Sequence, residues 1–215
     1  AKLVPSFPYT DAECLLCGNC KRNHLLTMCG EDDIIVYVGD GPGFGGVEPL
    51  EFQRILEALR SRHIVFSGIG IGPQVNWPCL AAIANATGGM LLVPEDKEPA
   101  KESGSRIGAV AVQDVAWPEE VALSSDIAKA GLRMLPSRLP PLRTDRDSVV
   151  LVEGPLDNGR LEVRLQRAGE EAPVALALPA AQPREDNAYL AELARNARET
   201  DGIFLPLLGR EGLQP

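Results

Sequence analysis

The chain has 215 residues, 45% of them apolar and 24% charged, with a formal net charge of −9. That length allows one good-sized core, or one domain with a smaller appendage, and the composition is that of a globular chain and not a disordered one. The acidic balance argues against general binding to nucleic acid or anionic membranes, since phosphate contacts need a surplus of Lys and Arg.

No apolar run reaches the roughly 18 residues of a membrane-spanning helix, and no charged-then-apolar leader opens the chain. A start at Ala1, without Met, is expected of a processed or truncated piece of something longer. The cysteine count of 5 is odd, and Cys14, Cys17, Cys20 and Cys29 crowd together. Secreted disulfide scaffolds carry even counts spread along a short chain, so a reducing, cytoplasmic setting is expected.

In chain order, residues 1–13 are punctuated by Pro and acids and read as irregular, and Asn19–Thr27 as a short helix. Ile34–Val38 is an apolar β-branched run that enters a Gly/Pro loop, Gly39-Asp40-Gly41-Pro42-Gly43-Phe44-Gly45-Gly46. Such a run, bounded by Gly, predicts a parallel strand covered on both faces. Glu48–Arg62 carries Leu50, Phe52, Ile55, Leu56 and Leu59 at helical spacing. Ile64–Gly72 is a second apolar strand. Trp77–Ala86 is a helix stopped by Thr87-Gly88-Gly89, and Met90–Val93 a third strand closed by Pro94. This alternation predicts right-handed crossovers and a parallel sheet.

Glu95–Ser105 is charged and aperiodic and reads as an exposed connection. Ile107–Val115, Val121–Leu123, Ser148–Glu153, Arg160–Gln166 and Val174–Leu178 read as short strands, with Ile107–Gln113 alternatively a helix finishing the first domain. Asp157-Asn158-Gly159 predicts a hairpin between the runs flanking it. Asn187–Glu199 reads as a helix leading to Ile203–Leu208. A domain boundary is expected near 100–115, and no repeat is visible.

The chemistry centres on Asp40. Loops at the carboxyl ends of parallel strands are where open α/β sheets bind ligands. A carboxylate among glycines there points to a metal ion, met directly or through water, because glycine lets backbone and ion approach closely. Cys14-x-x-Cys17-x-x-Cys20, with His24 and Cys29, has spacing compatible with zinc or an iron–sulfur cluster; reduced, partly buried thiols are the simpler reading. His63 reads as a surface or helix-end residue and Cys79 as core. Trp77 and Trp117, each beside a Pro, read as packing residues. Gly68-x-Gly70-x-Gly72 lacks the helix start of a dinucleotide fingerprint. The acids of Glu95–Glu98 and Glu119-Glu120 read as solvated, and Arg138, Arg143 and Arg146 as partners of Asp145 and Asp147. Asp145-x-Asp147-Ser-Val reads as a charged turn entering a strand.

The stretch Ile34–Pro94 resembles the C-terminal half of a von Willebrand factor type A domain. The matching features are Gly39-Asp40-Gly41 after a strand, the amphipathic helix, the strand closing on Gly68–Gly72, the Leu80–Ala84 helix and the Thr87-Gly88-Gly89 turn. Residues 115–209, with Pro140-Pro141-Leu142-Arg143, look similar to tails that follow such domains in some bacterial proteins. The resemblance implies a doubly wound sheet with a metal-dependent adhesion site at its carboxyl edge, whose ion recruits an acidic side chain of a protein partner. Of that site's ligands only one maps here, onto Asp40, and no Asp-x-Ser-x-Ser loop occurs. Residues 1–43, with Cys17-Gly18-Asn19-Cys20-Lys21-Arg22-Asn23-His24, also resemble phosphatases of the haloacid dehalogenase superfamily. That resemblance implies Lys21 against a phosphoryl group and Asp40 on Mg²⁺, with Phe44 where a second loop acid belongs and no nucleophilic Asp-x-Asp upstream. The two resemblances meet at Gly39-Asp40-Gly41, as at a junction.

The expected architecture is therefore α/β: a cysteine-containing segment 1–33, a partial doubly wound parallel sheet of von Willebrand factor A type over 34–105, and a smaller β-rich or α+β region over 106–215. The expected function is protein interaction through an incomplete metal site, without catalysis; the alternative is a phosphatase fragment using Lys21 and Asp40.

Overall fold

The computed structural model describes residues 29–41, 49–95, 97–123, 133–153, 160–167, 170–177, 189–202 and 205. The chain divides into two units, Ala1–Gln113 and Asp114–Pro215.

The described part of the first unit is a three-stranded parallel sheet with three helices. Strands β1 (Ile34–Gly39), β2 (Val65–Gly70) and β3 (Leu91–Leu92) lie in the order β1-β2-β3. Ile34 pairs with Val65 and Gly39 with Gly70, and the second pairing sets Gly68 beside Leu91. All six residues of β2 are buried. Because successive side chains point to opposite faces, that burial means both faces are covered. β1 differs from the expectation: Ile35 is buried, but Val36 and Val38 are 45% and 53% exposed. Among the described residues it is an edge strand, and double coverage belongs to the central strand instead.

Helix α1 (Pro49–Arg60) follows the loop after β1, with Glu51 in its first turn and Arg60 in its last, both favourable to the helix dipole. Its Ile55 and Leu59 join Ile64 and Phe66 of the β2 approach, and Leu80 and Ile83 of helix α2 (Trp77–Ala86), among the most deeply buried side chains. Arg60 Nη1 donates to the Ala86 carbonyl at 3.0 Å, joining the end of α1 to the end of α2. α2 stops as its sequence predicts. Gly89 N–H donates to Ala84 O (2.8 Å) and Gly88 N–H to Asn85 O (3.2 Å), with Gly88 at φ 77°. That is a Schellman termination, which places its glycine in the left-handed region. Thr87, fully buried, accepts the Phe66 N–H (3.1 Å) and donates to Ile83 O (2.8 Å), locking the helix end onto β2.

The first correction concerns 95–115. Helix α3 (Ala100–Ala111) takes up half of the expected connection and the start of the expected strand Ile107–Val115; the helical alternative for that run is the one adopted. Its buried stripe is narrow, only Ser103, Ile107 and Ala111. With Gly104 and Gly108 inside it, the helix has low intrinsic propensity, so neither period nor composition announced it. Glu98 is part of its support and not a solvated acid: the side chain is 6% exposed, 2.8 Å from Arg106 Nη1, and accepts the Glu95 N–H at 2.9 Å. These bonds hold its carboxyl below the usual range, the Glu95 N–H contributing most and Arg106 next.

In the second unit, β4 (Trp117–Leu123), β7 (Arg160–Arg167) and β8 (Glu170–Ala177) form an antiparallel sheet ordered β4-β7-β8. β5 (Arg133–Leu135) and β6 (Leu151–Glu153) form a separate antiparallel pair. This overturns the hairpin expected around Asp157–Gly159, whose residues lie outside those described. β6 turns to β5, and β7 pairs instead with β8, which begins at Glu170, four residues before the expected start. Pro173 falls in β8, an edge strand, the only place in a sheet where a missing N–H does little harm. Helix α4 (Tyr189–Thr200) contributes Leu193 and Ala197 to a small core with Leu135, Val149, Leu151 and Leu205.

Candidate functional site

The parallel ladder delivers Asp40 to the carboxyl edge of the sheet. Beyond the Gly39–Gly70 pair, Ile71 N–H still donates to Gly39 O at 3.0 Å, and Asn76 N–H donates to Asp40 O at 2.7 Å. The backbone of Asp40 is thus tied to the segment that follows β2, while its side chain is exposed. Two glycines make this possible. Gly72 sits at φ 120°, and a Cβ there would lie 3.3 Å from Asp40 Cβ, so the acid rests over bare backbone. Gly41 sits at φ 89°, with Asn76 Cβ and Leu80 Cγ 3.3 and 3.4 Å from the place a Cβ would occupy. Both conformations favour glycine strongly.

The support continues inward. Gly41 N–H donates to Tyr37 Oη at 3.0 Å, and the Tyr37 ring stacks on Phe66 with centroids 5.8 Å apart. Asn76 Oδ1 accepts the Cys79 N–H at 3.2 Å, capping α2, with Pro78 in the first turn. Gly70 leaves the space that the Trp77 ring fills. Sequence reading singled out Asp40 and missed Tyr37, Asn76 and Gly72 as its supports. Asn-x-Pro ahead of an apolar run is a readable N-cap signal; the Tyr37 bond has no sequence signature.

The chemistry this edge can perform follows from its donors. Mg²⁺ needs a near-octahedral set of oxygens. Among the described residues, no group of three or more His, Cys, Asp or Glu side chains could share a metal ion. Asn76 Oδ1 is already committed to the helix cap. Asp40 therefore belongs to no such cluster among the described residues. Lys21, Cys14, Cys17, Cys20, His24 and Phe44 lie outside the described residues; Cys29 is described and is half-buried.

The remaining candidates have structural places. Cys79 is buried in α2 and burial pushes its thiol up to about 11, so it is unreactive at neutral pH. His63 is half-exposed in the turn after α1, at φ 52°, with Nδ1 3.6 Å from Asp32 Oδ1. Arg143 forms a two-pronged pair with Asp145, Nε to Oδ1 at 2.7 Å and Nη2 to Oδ2 at 2.6 Å. The Arg143 side chain is fully enclosed, which a basic surface turn did not suggest. Arg146 Nη2 donates to Pro141 O at 3.2 Å. Burial and the neighbouring Arg143 lower its pKa to about 10.

Fold and edge together define an α/β protein with an exposed acid at the carboxyl end of β1, its backbone hydrogen-bonded to the segment after β2. No protein-family model matches the chain, and no curated protein matches it. Among solved structures the chain is similar to a von Willebrand factor type A protein from Catenulispora acidiphila, at 16% identity and a TM-score of 0.37, over 74% of this chain and 44% of that one. It therefore spans less than half of that protein's length.

Proposed function

We propose that the chain is a protein-interaction module of von Willebrand factor A type whose contact face is the carboxyl edge of the parallel sheet, centred on Asp40. The observation that carries this reading is an exposed carboxylate on a backbone tied to the segment after β2 by the Ile71–Gly39 and Asn76–Asp40 hydrogen bonds, with Ile71 of that segment 48% exposed. A rigid charged group beside an apolar one serves recognition, because little side-chain and loop freedom is lost on contact.

In the family that the sequence resembles, a metal ion would bridge such an acid to an acidic side chain of the partner. With the described donors falling short of such an ion, the charge of Asp40 itself sets the preference, and the complementary group is a Lys or Arg of the partner. The test is affinity capture from the source organism with immobilised protein. Partners should be retained by the wild type in EDTA and lost with Asp40→Lys, while Mg²⁺ titration of the free protein gives no saturable heat. Loss of partners on adding EDTA would restore a resident cation and overturn the direct-contact reading.

A further inference from the structure

The Asp40–Gly41 peptide is held at both ends. Its carbonyl oxygen accepts the Asn76 N–H at 2.7 Å, and its N–H donates to Tyr37 Oη at 3.0 Å. In a trans peptide those two groups point in opposite directions. The plane is thus pinned between the cap residue of α2 on one side and a side chain of β1 on the other. Gly41 lies at φ 89°. Glycine takes positive and negative φ about equally readily, so its own torsions do not choose between this orientation and one with the plane turned over. The choice falls to the two hydrogen bonds, and turning over breaks both.

Of the two, the Tyr37 bond is the one that a side chain supplies, and the strand places its oxygen. Tyr37 shares a face of β1 with Gly39, two residues on. A Cβ on Gly39 would come within 2.6 Å of Tyr37 Oη and 2.9 Å of Cζ. The ring therefore lies along the strand, across bare backbone, and reaches Gly41. Phe66 steadies it, with ring planes 28° apart, and Phe66 is itself fully buried with its N–H on Thr87 Oγ1. We propose that Tyr37 is a positioning residue: its hydroxyl fixes the orientation of the Asp40–Gly41 peptide and so keeps Asp40 tied to the segment after β2. The role deepens the contact-face reading and rests on it, since Asp40 and Ile71 act together only while that tie holds.

The test is amide exchange of the full chain, followed residue by residue by NMR. In the wild type the Gly41 amide should be protected and should show a nuclear Overhauser contact to the Tyr37 ring. Tyr37→Phe keeps the ring and loses the oxygen. Gly41 exchange should then quicken roughly tenfold, the net worth of one hydrogen bond, with the ring contact weakened. The Phe66 amide, held by Thr87, should be unchanged; a merely structural role would loosen both. Retention of the partners that Asp40→Lys loses should fall severalfold in Tyr37→Phe. A Gly41 amide that exchanges as an open one in the wild type overturns the proposal with no variant at all. So does a Tyr37→Phe protein in which Gly41 exchange is unchanged, or quickens without any loss of retention. If partners survive Asp40→Lys, the contact-face reading is what falls; Gly41 protection that disappears with the Tyr37 oxygen still supports the fixed peptide.

Discussion

The Thr87 hydroxyl is fully buried and serves two backbones at once, accepting from Phe66 and donating to Ile83. Thr87→Val keeps the shape and orphans the Phe66 N–H, so it should cost about 1–3 kcal/mol, read as a lower urea midpoint with unchanged slope. In the second unit Asp145, its side chain 31% exposed, faces the enclosed Arg143 guanidinium. Its removal would leave the enclosed Arg143 guanidinium without the carboxylate that faces it. Asp145→Asn should therefore destabilise by about 1–3 kcal/mol, whereas an exposed pair such as Arg198–Glu153, with Arg198 53% exposed, belongs to the class worth about 0.2–1 kcal/mol.

At the scale of elements, α3 is the weakest in its own sequence and the most dependent on its surroundings. Gly104 and Gly108 have nothing within 4 Å of where a Cβ would stand. Replacing both with Ala removes backbone freedom from the unfolded chain without any clash. Each change should stabilise by about 0.4–1 kcal/mol, visible as a rise in the melting temperature. The same reasoning explains why the helix was hidden in the sequence: one buried residue per turn and two glycines mimic a linker. The Asp157–Gly159 expectation failed for a different reason. Turn chemistry marks a reversal of direction, but which strand pairs with which depends on long-range packing, here Leu151 of β6 and Leu193 of α4 against the cluster of Leu135, Ala197 and Leu205.

For the whole molecule, net charge and paired carboxylates set the response to acid. Glu98, Asp145 and Glu153 all have lowered values, from ordinary ones of 4.5, 3.8 and 4.5. The leading causes are the Glu95 N–H for Glu98, Arg143 for Asp145 and Arg198 for Glu153. A carboxyl lowered in the folded state lends stability that is complete above its unfolded value and disappears as pH falls through the folded one. The unfolding free energy should therefore be flat down to about pH 5 and fall below about pH 4. Asp145→Asn should make that fall shallower, which chemical denaturation across pH checks directly.

By itself the sequence determined the strand–helix–strand–helix–strand series, the stop at Thr87-Gly88-Gly89 and the place of Asp40, because apolar period, glycine conformation and strand length are local properties. Only the tertiary structure decided that β1 lies at an edge of the described sheet with Val36 and Val38 half exposed, that β6 leaves β7 for β5, and that Arg143 is enclosed. Those outcomes depend on which surfaces meet across long stretches of chain, and no window of neighbouring residues encodes them.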